Sequence, residues 1–336
     1  MSDASPSRTV APAGERSSPF DLVRDSLRLV EAKFLADTVS AVAGITEIGQ
    51  YLHAGGGKRV RPTLVLLAAG LCGVEGPGVI ALATVVEMIH AATLIHDDVI
   101  DGAEIRRGRP STNFRWGTQK CVLAGDWLYM QAFNVALRER NFAILDELIS
   151  LTQAMVEGEL LQQEMTGKVV TRAQHLALIE RKTARLFAVS CKLGAMRGGR
   201  DTATVAALGD YGHHLGLAFQ MVDDLLDLVA SAAQLGKPVG NDLREGKMTL
   251  PCLDAYAAAP AEGRARFERV LRDGGFENVP FDEIQAMLAA SGSLDRARLE
   301  AREHAERARQ LILGFPPSRY RDALEELPSL MVERIS

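Results

Sequence analysis

Cysteine is sparse in this 336-residue chain: Cys72, Cys121, Cys191 and Cys252 lie roughly fifty or more positions apart, with no CxxC pair. That spacing excludes zinc and disulfide frameworks and reads as buried free thiols in a reducing compartment. Charge of one sign is also lacking. The formal net charge of −5 excludes a general nucleic-acid surface, so any cationic site must be local. No apolar run is long enough to span a bilayer. The longest, Val79 to Ile95, is interrupted by Glu87 and His90 and falls short of the roughly 20 residues a span needs. The first nineteen residues are rich in Ser, Pro and Ala and have no apolar stretch. They read as a flexible tail and not as a signal peptide, and the expectation is a soluble, cytoplasmic protein.

Strand signals are scarce, while helical periodicity recurs almost everywhere. Leu22, Leu27, Val30, Phe34 and Leu35 fall on one stripe of a helix that packs inward. The segment "RARLEAREHAERARQLIL" alternates charges and reads as a solvated helix near the C-terminus. Neither a fixed-period repeat nor a long linker divides the chain. One all-α domain of ten or more helices, residues 20–336, follows.

The chemistry-bearing residues fall in two acidic clusters. "LIHDDVIDGAEIRRG" ends an apolar helix, beginning near Val79, with Asp97, Asp98 and Asp101. Residues four apart share a helix face, so Asp97 and Asp101 project together. Carboxylates that converge without a base between them repel unless a cation fills the gap. Oxygen-only ligands suit Mg²⁺, which keeps waters and usually bridges carboxylates to substrate phosphates. One such cluster is equally read as an acidic helix end facing water. The pattern recurs, however: "FQMVDDLLDLV" repeats the spacing with Asp223, Asp224 and Asp227 inside another apolar helix. Two such helices facing each other make a cage for several Mg²⁺ ions and a diphosphate. Other metal and phosphate motifs fail: Val99 breaks an EF-hand loop, Arg59 and Met248 break a Walker loop, and HExxH is absent.

Basic groups accompany each acidic helix. "GGGKRVRP" carries Lys58, Arg59 and Arg61 after three glycines that let backbone amides approach an anion closely. Alone, this could be a solvated basic turn. Arg106 and Arg107 follow the first cluster, Lys237 and Lys247 the second, and Lys182 with Thr183 add a further donor pair. The arrangement suits two phosphorylated ligands, one bridged by metal to the aspartates and one held directly by Lys and Arg. The apolar helix leading into the first cluster then lines a pocket for an attached hydrocarbon.

These residues resemble the trans-isoprenyl diphosphate synthase family. "GGGKRVRP", "HAATLIHDDVIDGAEIRRGRPSTN", Gly125–Asp126, "KTA" at 182–184, "FQMVDDLLD" and "GKPVGNDLREGKMTLP" occur in that family's order, from about residue 20 to the end. The resemblance implies antiparallel helices around a central cavity, normally in a homodimer. It implies two to three Mg²⁺ ions on Asp97, Asp98, Asp101, Asp223, Asp224 and Asp227. Arg106, Lys182, Thr183, Gln220, Lys237 and Lys247 would contact an allylic diphosphate such as farnesyl diphosphate. Lys58, Arg61, His90 and Arg107 would hold isopentenyl diphosphate, with a satisfied core histidine the alternative for His90. His213 and His214 match no motif position and are left structural.

Product length is expected to depend on how far the hydrocarbon travels past Ala92 and Thr93 toward Ile89. None of these is aromatic, a form similar to the long-chain members, which make quinone side-chain precursors of roughly C30 to C50. Tyr129, Met130 and Phe133 are candidates for the floor and are equally read as ordinary core; Phe133→Ala is expected to lengthen the product and Ala92→Phe to shorten it. Shorter-chain (geranylgeranyl or farnesyl) synthases are the alternative, and a non-catalytic subunit of a heteromeric synthase is another. A terpene cyclase would lack the second "DDLLD" cluster.

Overall fold

The computed structural model of the chain describes residues 18–229 and 239–333. Its first half runs α1 (Pro19–Leu22), α2 (Arg24–Asp37), α3 (Ala43–Ala54), α4 (Val60–Leu71) and α5 (Pro77–Ile100). A hairpin of two-residue strands, β1 (Ile105–Arg106) and β2 (Arg109–Pro110), leads to α6 (Thr112–Trp116), α7 (Thr118–Leu137) and α8 (Phe142–Met165). Then come α9 (Arg172–Ile179), a π-turn at Glu180–Ala184, α10 (Arg185–Arg197) and α11 (Thr202–Val229). The chain closes with α12 (Asn241–Arg244), α13 (Leu250–Ala258), α14 (Ala261–Asp273), α15 (Phe281–Ser291), α16 (Ser293–Leu313) and α17 (Arg319–Val332).

Local signals set these boundaries. Ser18 accepts from the Phe20 amide ahead of Pro19, which suits the first helical position and is itself buried. Asn141 caps α8, and Thr171 with Gln174 forms a reciprocal capping box on α9. Thr38 ends α2 by donating its hydroxyl to the Phe34 carbonyl (2.9 Å), so the helix stops short of Val42.

The apolar stretch of the sequence becomes the central helix. Sixteen of the 24 residues of α5 are buried, among them Leu82, Val85, Val86, Met88, Ile89 and Ile95. Each large aliphatic contributes about 1.5–3 kcal/mol by leaving water. By length and composition α5 could cross a membrane, but 83% of its most apolar window is enclosed by the other helices. It is the core helix of a globular bundle.

On α11, a Cβ at Gly212 would stand 2.5 Å from the Phe187 carbonyl oxygen, and one at Gly216 would stand 2.6 Å from the Ala184 Cα. Only glycine permits that approach, which brings α11 against α10 and the π-turn. The expectation of a solvated C-terminal helix needs correction. On α16, Ala297, Ala301, Ala305, Ala308 and Ile312 form a buried stripe packed on α11, with the charges on the other face.

Candidate functional site

α5 ends at Asp101, where Gly102 takes φ +59° and turns the chain into the hairpin. The three aspartates there face different ways. Asp97 borders a cavity, and Asp101 is exposed outside its lining. Asp98 is buried beneath the hairpin: its carboxylate accepts from Arg106 Nε (2.5 Å) and from the Thr112 hydroxyl (3.1 Å) and amide (3.3 Å). Asp98 therefore holds the loop that follows it.

The second cluster is divided in the same way. Asp223 borders the cavity opposite Asp97. Asp224 is buried, accepting from Gln220 Nε2 (2.9 Å) with His175 Nε2 3.3 Å from its other oxygen. Asp227 is buried too, accepting from the Asp242 amide (2.9 Å), while its carbonyl accepts from the Gly240 amide (2.7 Å). It ties the loop after α11 back onto the helix. In each motif one acid enters the cavity and another anchors the chain that follows.

The cavity, of about 550 Å³, lies between α5, α7, α8, α10 and α11. Arg61, His90, Thr93, Asp97, Lys182, Thr183, Gln220 and Asp223 meet at its polar end. Val122, Tyr129, Met155, Val156, Leu160 and Leu186 make its apolar wall. Lys182 and Thr183 sit on the π-turn, an irregularity frequent at functional sites because the extra residue redirects side chains. A second cavity of about 180 Å³, of mixed polar and apolar lining, adjoins the first and shares Lys182, Thr183 and Gln220 with it.

Other expected residues stand around this cavity. Arg106 and Arg107 border a neighbouring groove with Tyr51 and Asp98. Arg107 adopts φ +52° and donates to the Gly56 carbonyl, so it rests on the glycine loop. Lys58 borders a separate groove beside α1, α2 and α17. Arg59, in contrast, is consumed internally: at φ +49° it pairs with Glu31 and Glu87. Lys247 borders the second cavity and reaches Asp101 (3.4 Å) and Glu245 (2.7 Å). Lys237 lies outside the described residues, as do residues 1–17 of the expected tail.

Electrostatics at the polar end follow from this crowding. Burial, more than any single charge, pushes Asp97 up to about 6, with Glu159 and Asp101 raising it further against Lys182 and Arg106. Burial lowers Arg61 to about 10, partly offset by Glu87 and Asp223, so it stays protonated at neutral pH. Its Nε is buried without a hydrogen-bond partner, a donor left for an anion. Arg61 Nη1 lies 3.1 Å from His90 Nε2. Burial and then Arg61, Arg107, Arg106 and Arg59 hold His90 well below its usual value, so it is neutral. Burial also works against the Lys247 ammonium, but Asp101 and Glu245 outweigh it and raise the group.

Among the described residues, no group of three acidic, His or Cys side chains stands close enough to hold a metal by itself. Asp97, Asp101 and Asp223 are oxygen donors on two elements, and Lys247 already neutralises one of them. Such a set fits a hard divalent cation that completes its shell with water and ligand phosphate.

Several site residues carry no motif signal. Glu159 and Gln162 on α8 hold Lys182 Nζ at 2.6 and 3.1 Å. Tyr129 stands at the wall where Phe133, one turn on, packs against the core instead. Of the four expected length-setting residues only Thr93 borders the cavity; Ala92 and Ile89 are fully buried outside it.

Comparison with known proteins places this geometry. The model of a family described as polyprenyl synthetase matches residues 42–287. The chain is 40% identical over 314 residues to an octaprenyl diphosphate synthase from Haemophilus influenzae, covering 93% of this chain and 95% of that one. It superposes with a TM-score of 0.90 on a decaprenyl diphosphate synthase from Rhodobacter capsulatus, at 36% identity, covering 95% and 98% of the two chains. A polyprenyl synthase from Caulobacter crescentus, complexed with calcium and isoprenyl diphosphate, also matches at 0.90 and 36%, covering 97% and 100%.

Proposed function

This chain belongs to the polyprenyl synthetase family, and from that premise we propose a long-chain all-trans-polyprenyl diphosphate synthase. This prenyltransferase condenses isopentenyl diphosphate head to tail onto an allylic diphosphate such as farnesyl diphosphate. The observation that carries the reading is a single cavity with acids from α5 and α11 and bases at one end and an aliphatic wall at the other.

Asp97, Asp101 and Asp223 are the groups that would hold Mg²⁺, two to three ions per site, and bound there it would supply charge neutralisation to the departing allylic diphosphate. Asp98 and Asp227 support them by fixing the adjoining loops, and Asp224 by holding Gln220. Lys182 presents its ammonium to the same diphosphate, with Thr183 and Gln220 beside it and Arg106 and Lys247 at the margin; Lys237 is assigned to it by the sequence resemblance alone. Arg61, with neutral His90 behind it, binds isopentenyl diphosphate together with Arg107 and Lys58.

Ionisation of the carbon–oxygen bond leaves an allylic cation, which the isopentenyl double bond attacks; loss of a proton then restores the alkene. The released diphosphate is the group nearest the reacting carbons that can take that proton. Met155 and Leu186 give the cation an apolar wall, and Val122, Val156 and Leu160 complete it on the side that is open in the single chain.

We also propose a homodimer in the cytoplasm. Leu123, Met130 and Leu137 on α7, and Phe142, Ile149 and Val156 on α8, recur every seven residues and are exposed. Val122, Val156 and Leu160 are both exposed and part of the cavity wall, so a second copy seated there covers its open side. Four buried free cysteines suit a reducing compartment.

The test is incubation with farnesyl diphosphate, isopentenyl diphosphate and Mg²⁺, followed by mass spectrometry of dephosphorylated products. Long polyprenols formed only with isopentenyl diphosphate are expected. A cyclised hydrocarbon made without it, or no elongation at all, overturns the reading.

A further inference from the structure

A run of four polar side chains leads from the first cavity into the lining of the second: Thr183 and Gln220 border both, Asp224 and His175 only the second. Thr183 donates its hydroxyl to Gln220 Oε1 (2.8 Å), and Gln220 Nε2 donates to Asp224 Oδ1 (2.9 Å). On the far side, His175 Nε2 faces Asp224 Oδ2 at 3.3 Å. His175 and Asp224 are each only 4% exposed, and neither of these two atoms makes a hydrogen bond among the described residues, so their 3.3 Å approach is a close contact of two buried polar atoms.

A carboxylate this deeply buried needs a donor on each oxygen, since an unmatched one costs the full desolvation of the group. A carboxylate only accepts, so His175 must carry its proton on Nε2. For the same reason Gln220 turns its NH₂ to Asp224 and its carbonyl to Thr183. Asp224, which can only accept, sets the orientation of Gln220 and through it that of Thr183, and His175 is the group held against the second oxygen of that carboxylate.

We propose that His175, on α9, is a positioning residue for the allylic-diphosphate site. It fixes Asp224, which orients Gln220, which anchors Thr183 and with it the π-turn that carries Lys182. The inference rests on the synthase reading above. It assigns a role to a residue outside every motif, one that borders the second cavity but not the first.

The test compares two amides of different reach. In His175→Gln the amide nitrogen attains the ring Nε2 position, whereas in His175→Asn it falls one methylene short. Steady-state constants are measured for farnesyl and isopentenyl diphosphates separately, with thermal melts alongside. His175→Asn is expected to raise KM for farnesyl diphosphate about tenfold or more, a usual cost of losing a supporting partner. KM for isopentenyl diphosphate should move less than about twofold, and His175→Gln should stay within about threefold of wild type.

Should the Asn variant not fold, His175→Phe, which keeps the ring volume and drops the donor, is expected to show the same split. Equal constants for the Gln and donor-less variants, or equal KM changes for both substrates, overturn the assignment. So does a lowered melting temperature with unchanged kinetics. Wild type without turnover sinks the synthase reading itself, whereas active wild type with indistinguishable variants sinks only the role of His175.

Discussion

Asp97→Asn should stabilise the metal-free protein at pH 8 and do nothing at pH 4, while removing its response to Mg²⁺. The Asp97 carboxyl stands near 3.8 in the unfolded chain and is raised to about 6 in the fold, chiefly by burial. A carboxyl with a raised folded pKa binds more protons folded than unfolded between those values, so stability falls as pH climbs from 3.8 to 6. Above 6 the cost is complete, and below 3.8 it is absent. Two pK units correspond to almost 3 kcal/mol, and about 2 kcal/mol remains after allowance for the partial exposure of the group. For a chain of this size that amounts to about 3 °C in Tm.

The assay is thermal unfolding of both proteins in chelator at pH 4, 6 and 8, repeated with millimolar Mg²⁺ and inorganic diphosphate. The variant should melt higher at pH 8 in chelator, and the two should converge at pH 4. With metal and diphosphate the wild type should gain stability by mass action, and the variant much less. An Asn variant that melts at or below wild type at pH 8 in chelator refutes the claim that Asp97 is held charged at a cost. A variant that gains as much as wild type from Mg²⁺ removes Asp97 from the metal site.

The doubled DDxxD pattern makes two facing acidic helices legible, because carboxylates inside apolar helices have few uses other than binding a cation. It cannot say which acid turns in. Helical spacing groups Asp223 with Asp227, yet Asp227 is drawn down by the Asp242 amide from a loop fifteen residues on. Spacing likewise cannot separate Arg59 from Arg61: partners 28 and 29 residues away, Glu87 and His90, decide that Arg59 is structural and Arg61 faces the cavity. The aliphatic wall was least legible. Met155, Val156 and Leu160 look like any apolar helix positions until α8 is seen against α7. The buried face of α16 was hidden for a simpler reason: four of its five residues are alanines among charges, and small side chains leave little hydrophobic signal. His175 belongs to no pattern, because its partner lies on another helix.

Arg61→Ala should raise KM for isopentenyl diphosphate by about tenfold or more and that for the allylic substrate far less, since a buried charge-assisted donor is removed from one site only; equal effects in steady-state kinetics would contradict the division of the two sites. Gly125→Ala places a Cβ 2.2 Å from His96 Nε2, which must move, so overpacking of about 1–3 kcal/mol and a lower melting temperature are expected. Product length should respond to the residues that border the cavity. Tyr129→Ala removes a ring and hydroxyl, seven heavy atoms, from the wall; that is room for one further five-carbon unit, and mass spectrometry of the polyprenols should show the distribution lengthened. Thr93→Phe puts a ring into the same space, one turn from Asp97, and should shorten it. Ala92 is fully buried outside the cavity, so Ala92→Phe should cost stability before it alters length. A product shortened by Ala92→Phe in a protein that melts like wild type, with Thr93→Phe unchanged, would mean that the hydrocarbon runs along the other face of α5.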